Sequence, residues 1–343
     1  MLKSKFFTLV LVFVLVLAAL VSVTGAGAAP KSDLSVSISA DKTSFSALDT
    51  VIVNVTISNN GKNTAKVLKW YTPADEVEEA IFNVKRDGAS VDYVGAHYKR
   101  PAPTGSDYIS LKSGESFTRS VDLGLYYDLS ASGVYELEYN ADGTGLSSNK
   151  IQLAVEGRAG TPIADAVAPL AVTGSTSFTK CTVSQQADLT TARANASTYA
   201  ANAFSYLNSI SSSTQRYAYW FGAYSAANDT KVTSNFNKIS SAMDTAAVTF
   251  NCGCKKSAYA YVYSNQPYTI YLCRAFWTAP ALGTDSKAGT LIHEMSHFTV
   301  VAGTNDYVYG QTGAHNLALT NVSQAIANAD NHEYFAENTP TLP

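Results

Sequence analysis

His293-Glu294-Met295-Ser296-His297 is the stretch that decides how the second half of this chain is built. Its two histidines are four residues apart, so on a helix both imidazoles lie on one face and can reach a single metal ion. Glu294 lies about 100° round the same helix, where its carboxylate can reach a water molecule held by that ion. Zinc lowers the pKa of such a water, and the carboxylate can take its proton. The pattern therefore predicts a catalytic zinc site rather than two chance histidines.

A third zinc ligand is expected further along the chain, because two histidines do not complete a catalytic site. The metzincin pattern would place a histidine at position 303, which is Gly303, and the thermolysin pattern would use a glutamate, but none occurs between Glu294 and Glu333. The candidates that remain are Asp306, His315, Asp330, His332 and Glu333. Asp306 is the nearest in sequence, and Gly303 and Gly310 on either side of it allow the chain to turn back towards the helix.

The segment Gly303-Thr304-Asn305-Asp306-Tyr307-Val308-Tyr309-Gly310, taken with the His-Glu-x-x-His stretch, resembles the aspzincin metallopeptidases, the family of deuterolysin and the fungal peptidyl-Lys metalloendopeptidases. The resemblance covers the chain from about Cys181 to Pro343. It implies one zinc ion, Zn2+, with three protein ligands, His293, His297 and Asp306. It also implies that Glu294 is the general base and that the hydroxyl of Tyr309 stabilises the oxyanion of the tetrahedral intermediate.

All four cysteines lie in the C-terminal half of the chain, at Cys181, Cys252, Cys254 and Cys273. In an exported protein they are expected to form two disulfides rather than a zinc site, for which the spacing is wrong. Cys252 and Cys254 are too close to pair comfortably with each other, which leaves two pairings open. The family resemblance implies Cys181 with Cys252 and Cys254 with Cys273.

Asp330 and Glu333 are three residues apart in a predicted C-terminal helix, so their carboxylates share a face. Two neighbouring carboxylates repel unless a cation lies between them, and in a partly dry pocket they would receive a lysine ammonium. The alternative is a solvated acidic helix face. The segment resembles that of the peptidyl-Lys branch of the family, where these two positions hold a substrate lysine on the primed side of the cut.

The function predicted from these motifs is endopeptidase hydrolysis of protein and peptide substrates at Xaa-Lys bonds, with lysine becoming the new amino terminus. One alternative is a broad-specificity, deuterolysin-like protease. An alternative of a different class is a secreted adhesin or binding protein with a structural zinc site, for which Glu294 and Tyr309 would not be needed.

Residues 1–29 have the layout of a secretory signal peptide, with Lys3 and Lys5 before an apolar run that ends in small residues. A membrane anchor is the alternative. The small-residue exit favours cleavage, so we expect a secreted, extracellular, monomeric protein with no membrane segment once the signal is removed. A net charge of -3 gives no reason to expect a nucleic acid partner.

Three further regions follow the signal peptide. Residues 30–156 contain short alternating strands such as Val51–Ile57 and predict an all-β, immunoglobulin-like sandwich. Residues 157–178 are rich in Ala, Thr, Gly and Pro and predict a linker with a processing site. Residues 179–343 predict a mainly α, zincin-like domain with a small β-sheet. Its predicted helices cover Gln185–Ile210, Ser234–Phe250, a stretch capped by Thr284, Asp285 or Ser286 that ends near Phe298, and Ser323–Glu337. A hairpin of Tyr259–Tyr263 with Tyr268–Leu272 is also predicted.

The β-rich region is expected to be a propeptide that folds with the protease and inhibits it intramolecularly, since the family usually makes precursors. It contains no cysteine, which excludes a cysteine switch. Entry of His97 into the site, or of a lysine such as Lys99 into the acidic pocket, would occlude it. No lysine lies between Lys150 and Lys180, so self-maturation with strict lysine specificity must cut at Thr179-Lys180 or before Lys150.

Overall fold

A computed structural model describes residues 33–141, 144–157 and 174–343. The predicted signal peptide and most of the predicted linker lie outside these residues. Within them, the chain has a β-rich N-terminal part and a C-terminal part of helices around a small sheet, as predicted. None of the described helices is long and apolar enough to cross a membrane.

The N-terminal part is built from short strands joined by turns. Its described strands are β1 (Leu34–Ser39), β2 (Ser44–Phe45), β3 (Ile52–Asn59), β4 (Ala65–Leu68), β5 (Phe82–Arg86), β6 (Ala89–Ser90), β7 (Ala96–Lys99), β8 (Tyr108–Leu111), β9 (Ser116–Asp122), β10 (Gly133–Ala141) and β11 (Leu146–Val155). Short 3-10 turns cover Lys69–Tyr71, Gly105–Asp107 and Leu123–Leu125.

Two sheets of this part share one apolar core. The first has the strand order β1-β3-β9, and the second β2-β11-β10-β5-β6, while β4 and β8 form a separate pair. Alternate residues of β3 and β10 face inwards, among them Val53, Val55, Tyr135 and Leu137, and all four are fully buried. This alternation is what a strand with one solvated face requires. The immunoglobulin-like relationship stays a prediction.

The C-terminal part has eight described helices and four described strands of its own. They are β12 (Thr176–Thr179), α1 (Val183–Ser209), α2 (Gln215–Phe221), α3 (Ala226–Thr245), β13 (Val248–Asn251), β14 (Ala260–Tyr263), β15 (Thr269–Leu272), α4 (Arg274–Thr278), α5 (Lys287–His297), α6 (Gly310–Thr320), α7 (Val322–Ile326) and α8 (Ala329–Glu337). The disulfides Cys181–Cys252 and Cys254–Cys273 have the pairing that the family resemblance implies.

Several predicted elements differ from the structure. The helix predicted over Ser234–Phe250 begins earlier and gives way to β13, because Val248 and Phe250 alternate into the core and pair with neighbouring strands. The predicted last helix is two helices, α7 and α8, separated at Asn328, whose side chain accepts the backbone N–H of Tyr307. Thr176–Phe178, predicted as linker, belongs to β12 in the sheet of the C-terminal part.

A strand of the N-terminal part completes the sheet of the C-terminal part. The strand order is β12-β13-β15-β14-β7, in which β7 runs antiparallel to β14. Without β7, strand β14 would be an edge with unpaired backbone groups, which is the kind of edge on which proteases and peptide-binding domains take an extended chain. Helix α5 packs against β14, β7 and α8, and so brings its histidines beneath this edge.

Candidate active site

Helix α5 positions the first three predicted site residues. Its N-cap is Ser286, one of the three predicted caps, whose hydroxyl accepts the backbone N–H of Gly289 at 2.9 Å. His293, Glu294 and His297 lie along it and are fully buried. After α5 the chain turns at Gly303, which has a left-handed φ of 60°.

The turn brings Asp306 to the two histidines. Asp306 Oδ1 lies 3.2 Å from His293 Nε2, and Oδ2 lies 3.3 Å from His297 Nε2. Donors at about 2.0–2.1 Å from one tetrahedral zinc ion are separated by about 3.3 Å, so these distances fit that ion. Both Nε2 atoms and both carboxylate oxygens are buried without a hydrogen-bond partner among the described residues. Two imidazole nitrogens and a carboxylate left in this way have the chemistry of a three-ligand zinc site, and His97 adds an imidazole close to His297 and Asp306.

The other ring nitrogens of the two histidines have their own contacts. His297 Nδ1 donates to the carbonyl oxygen of Thr304 at 2.9 Å, and His293 Nδ1 lies 2.8 Å from Asp330 Oδ1. The hydrogen bond of His297 fixes the orientation of its ring and leaves Nε2 free for a metal, whereas the contact of His293 with Asp330 is close but not aligned as a hydrogen bond. Asp330, predicted as part of a lysine pocket and as one of the five candidate zinc ligands, thus contacts a histidine of helix α5 through the other ring nitrogen.

Strand β7 lies across these residues with its Tyr98-Lys99 peptide bond between two predicted catalytic groups. The backbone N–H of Lys99 donates to Glu294 Oε1 at 3.3 Å. The Tyr98 carbonyl oxygen lies 2.8 Å from the hydroxyl of Tyr309. Burial raises the pKa of Glu294 to about 7 and holds that of Tyr309 well above its ordinary value, so the phenol is a hydrogen-bond donor.

The side chain of Lys99 fills an acidic pocket beside the predicted zinc ligands and is fully buried. Its ammonium lies 2.8 Å from Glu333, 3.0 Å from Asp285 and 3.5 Å from Asp330. The rings of Tyr259 and Tyr334 lie 5.4 and 5.3 Å from the same nitrogen. Burial opposes the charged form of Lys99, but the carboxylates outweigh it and hold its pKa well above the ordinary value.

His97, which precedes the Tyr98-Lys99 peptide bond in β7, lies against the predicted zinc ligands His297 and Asp306. Its ring stacks on His297 with centroids 4.7 Å apart, and its Nδ1 lies 3.9 Å from Asp306 Oδ2. Both residues of the N-terminal part that were predicted to occlude the site, His97 and Lys99, therefore lie within it.

Two of the alternative zinc ligands lie elsewhere. His315 stacks on Tyr219 and contacts its carbonyl oxygen at 2.9 Å. His332 is held inside the helical core by Asn328 and Asn235, each 3.0 Å away. Among the five candidates, Asp306 alone places carboxylate oxygens at the Nε2 atoms of both α5 histidines in the described structure.

Three residues of the site were not predicted from sequence. Asp285 was considered only as a helix cap, although its position before α5 could have suggested the pocket. Glu79 and Arg100 belong to the N-terminal part, and Glu79 contacts Tyr309 across 230 positions of sequence. No local pattern predicts a contact of that separation.

Comparison with known proteins identifies the family of this chain. The profile of the Aspzincin M35 family, described as lysine-specific metallo-endopeptidase, matches residues 206–337. An extracellular protease of Aeromonas hydrophila is 46% identical over 310 residues, which cover 85% of this chain and 89% of that protein. This chain belongs to the aspzincin family. It is therefore a zinc metalloendopeptidase.

Two further relatives of this aspzincin are fungal. A peptidyl-Lys metalloendopeptidase of Armillaria mellea is 38% identical over 341 residues, which cover 93% of this chain and 95% of that protein. A solved zinc peptidase from Grifola frondosa is 45% identical, covers 48% of this chain and all of its own, and has a TM-score of 0.47.

Proposed function

We propose that this aspzincin is the precursor of a secreted endopeptidase that hydrolyses Xaa-Lys bonds, with lysine becoming the new amino terminus. The observation that carries the proposal is the position of Lys99. Its ammonium is buried among three carboxylates while its backbone N–H contacts Glu294. A substrate lysine in the same place would present its preceding peptide bond to the catalytic residues.

The catalytic roles follow from this alignment. A zinc ion held by His293, His297 and Asp306 would acidify the attacking water and polarise the scissile carbonyl. Glu294 takes a proton from the water and delivers it to the leaving amine, whose nitrogen corresponds to that of Lys99. The phenol of Tyr309 donates to the carbonyl oxygen and stabilises the negative charge that develops there.

The pocket suits lysine better than arginine. An ammonium is a compact charge with three donors, and three carboxylate oxygens surround the Lys99 nitrogen within 3.5 Å. The two tyrosine rings close the sides of the pocket. A guanidinium is wider, and its N–H donors need acceptors in the plane of the group. Arginine would therefore leave N–H donors without acceptors in this buried site.

The N-terminal part acts as an intramolecular inhibitor in this proposal. Strand β7 occupies the edge of β14 over four residue pairs, from Ala96 opposite Tyr263 to Lys99 opposite Ala260. An external peptide needs the same edge and the same pocket, so it cannot bind until β7 leaves. Export by residues 1–29 and processing within residues 157–178 complete the proposed route to the active enzyme.

Peptides that differ at one position test the lysine proposal on the matured enzyme. We expect cleavage before Lys, and cleavage before Arg or norleucine slower by at least about 100-fold, since losing a buried ion pair costs a few kcal/mol. Glu333→Gln should raise KM for the lysine peptide far more than Asp285→Asn, because Asp285 is 38% exposed at the rim and Glu333 is fully buried. Equal cutting before all three residues would contradict the pocket and leave a broad-specificity enzyme.

A further inference from the structure

The Tyr98-Lys99 bond lies in substrate register, yet the precursor must keep it intact if the N-terminal part is to inhibit. The inference that follows rests on the proposed function, because it takes Tyr309 as the donor to the scissile carbonyl. The phenol of Tyr309 has one hydrogen and two acceptors within reach. The Tyr98 carbonyl oxygen is 2.8 Å away, and Glu79 Oε1 is 2.7 Å away.

Glu79 Oε1 is the better acceptor of the two. Arg100 Nε already donates to this oxygen at 3.2 Å, so it remains an acceptor even when the other carboxyl oxygen carries a proton. A hydrogen bond to an ionised carboxylate is also roughly twice as strong as one to a neutral carbonyl. Burial raises the pKa of Glu79 to about 8, so this second advantage is complete only above that pH. Glu79, at the shorter of the two contacts, thus competes with the Tyr98 carbonyl for the single phenolic hydrogen.

A buried cluster holds Glu79 and Arg100 in place. The Arg100 guanidinium stacks on Trp70 at 4.8 Å and on Tyr98 at 4.5 Å, and its Nη2 pairs with Glu78 at 2.7 Å. The ring of Trp70 meets that of Tyr309 edge-on, with centroids 6.0 Å apart. Trp70, Glu79 and Arg100, which we call the tyrosine clamp, are at most 7% exposed. All three belong to the N-terminal part, so they leave the site together with it.

We propose that the tyrosine clamp withholds Tyr309 from the Tyr98 carbonyl and thereby keeps the precursor's own Tyr98-Lys99 bond from being hydrolysed. Hydrolysis would add the water oxygen to the Tyr98 carbonyl carbon, break its bond to the Lys99 nitrogen and pass one water proton through Glu294 to that nitrogen. The negative charge that develops on the Tyr98 oxygen would lack its donor and face the Glu79 carboxyl group. Loss of one such donor costs about 100- to 1,000-fold in rate.

The test follows the full-length precursor after zinc loading, by intact mass and amino-terminal sequencing. Glu79→Leu removes the acceptor at similar volume, and Glu79→Gln keeps an acceptor oxygen at the same place. We expect Glu79→Leu to yield a fragment that begins at Lys99 at least about 100-fold faster than the wild-type chain, and Glu79→Gln to remain close to wild type. The rate should not change on dilution, because the reaction is intramolecular.

Two controls separate this effect from general loosening. Glu76→Ala removes a neighbouring ion pair, to Lys256, without touching Tyr309, and should leave the bond intact. Glu79→Leu combined with Glu294→Gln should not be cut, which excludes a contaminating protease.

The proposal is overturned if Glu79→Leu stays folded and uncut while the matured enzyme cleaves Xaa-Lys peptides, or if Glu76→Ala is cut as fast. Glu79→Ala carries the same prediction and replaces the leucine variant if that variant fails to fold. Wild-type precursor that cuts itself at Lys99 would also refute it. A matured enzyme without lysine preference would instead refute the proposed function, whatever the Glu79 variants do.

Discussion

Asp330 has neighbours on both sides of its carboxylate. Oδ1 lies 2.8 Å from His293 Nδ1 and 3.5 Å from the Lys99 ammonium, while Oδ2 accepts the backbone N–H of Gly310 at 2.6 Å. Glu333 is also close to both groups, but its shorter contact, 2.8 Å, is with Lys99. Asp330 makes the shorter contact with the predicted zinc ligand His293, so zinc binding and lysine binding should not be separable at Asp330.

Asp330→Asn should therefore lower zinc affinity as well as lysine cleavage. We expect about a 10- to 100-fold loss of zinc affinity, as for other outer partners of metal-binding histidines, measured by competition with a chromogenic chelator. Glu333→Gln is the matched control. Its zinc affinity should stay closer to that of the wild type, because Glu333 lies farther from His293 than Asp330 does. An Asp330→Asn enzyme that binds zinc normally would contradict the role given to the contact with His293.

Glu294→Gln separates metal binding from catalysis. The amide cannot take a proton from water, so turnover should fall by at least about 100-fold, while zinc content measured after dialysis stays at one per chain. The mature domain should also lose activity on treatment with a zinc chelator and regain it when zinc is restored. A Glu294→Gln enzyme with substantial activity would refute the assignment of the base.

At the scale of elements, α5 and α8 approach closely at Gly289. A Cβ added there would overlap the carboxylate of Glu337 and come within 3.0 Å of Glu333 Cγ. Glu337 cannot swing away freely, because its Oε1 accepts from both the backbone and the hydroxyl of Ser286, at 2.9 and 2.8 Å. Glycine is therefore required inside this helix by packing, although alanine has the higher helix propensity.

Gly289→Ala should destabilise the protein by about 1–3 kcal/mol, through overpacking that outweighs the gain in helix propensity. It should also displace Glu333 and weaken lysine binding, which would appear as a raised KM. The control is Gly313→Ala in α6, where the nearest atom would be 3.3 Å away and the effect on the melting temperature should be small. Equal melting temperatures for both variants would contradict the close approach.

The elements that were predictable from sequence are those with a strong local signal. Helix α5 has a cap residue, Ser286, and the His-Glu-x-x-His motif in its sequence. The β14–β15 hairpin has alternating apolar and polar residues on both sides of its turn. Strand β13 was mistaken for the end of a helix because its four residues are too few to show a period, and only pairing with β12 and β15 makes it a strand. The break at Asn328 depends on hydrogen bonds to a loop twenty residues earlier, which no local pattern encodes.

The site residues also differ in how far the sequence predicts them. The spacing of His293, Glu294 and His297 predicts their shared helix face from three residues alone. The residues alone leave Asp306 as one of five candidates for the third zinc ligand, because a turn rather than a helix period brings it to the histidines. Only the family resemblance singles it out. The contact of Glu79 with Tyr309 joins two parts of the chain that fold around separate cores, so sequence could not predict it.

At the scale of the whole molecule, the N-terminal part is attached to the catalytic sheet through β7 and through the Lys99 side chain. Removing that side chain would leave three carboxylates without their cation, two of them fully buried. An uncompensated buried charge of this kind typically costs about 3–5 kcal/mol. Without the Lys99 side chain, the N-terminal part should therefore bind the C-terminal part more weakly.

Lys99→Ala should make the precursor less latent. We expect the unprocessed variant to cleave an external Xaa-Lys peptide at a rate that wild-type precursor does not reach, with the chain length checked by mass after the assay. Lys112→Ala, which changes an exposed lysine of the same part, is the control and should remain latent. Full latency of a folded Lys99→Ala precursor would show that the lysine pocket does not hold the N-terminal part in place.

The most direct measurement is the sequence of every new amino terminus that the matured enzyme generates from a denatured, unrelated protein. We predict that lysine occupies nearly all of them, and that Glu333→Gln both slows the digest and lowers the share of termini that begin with lysine. New termini spread over many residue types, with arginine or apolar residues as frequent as lysine, would contradict it.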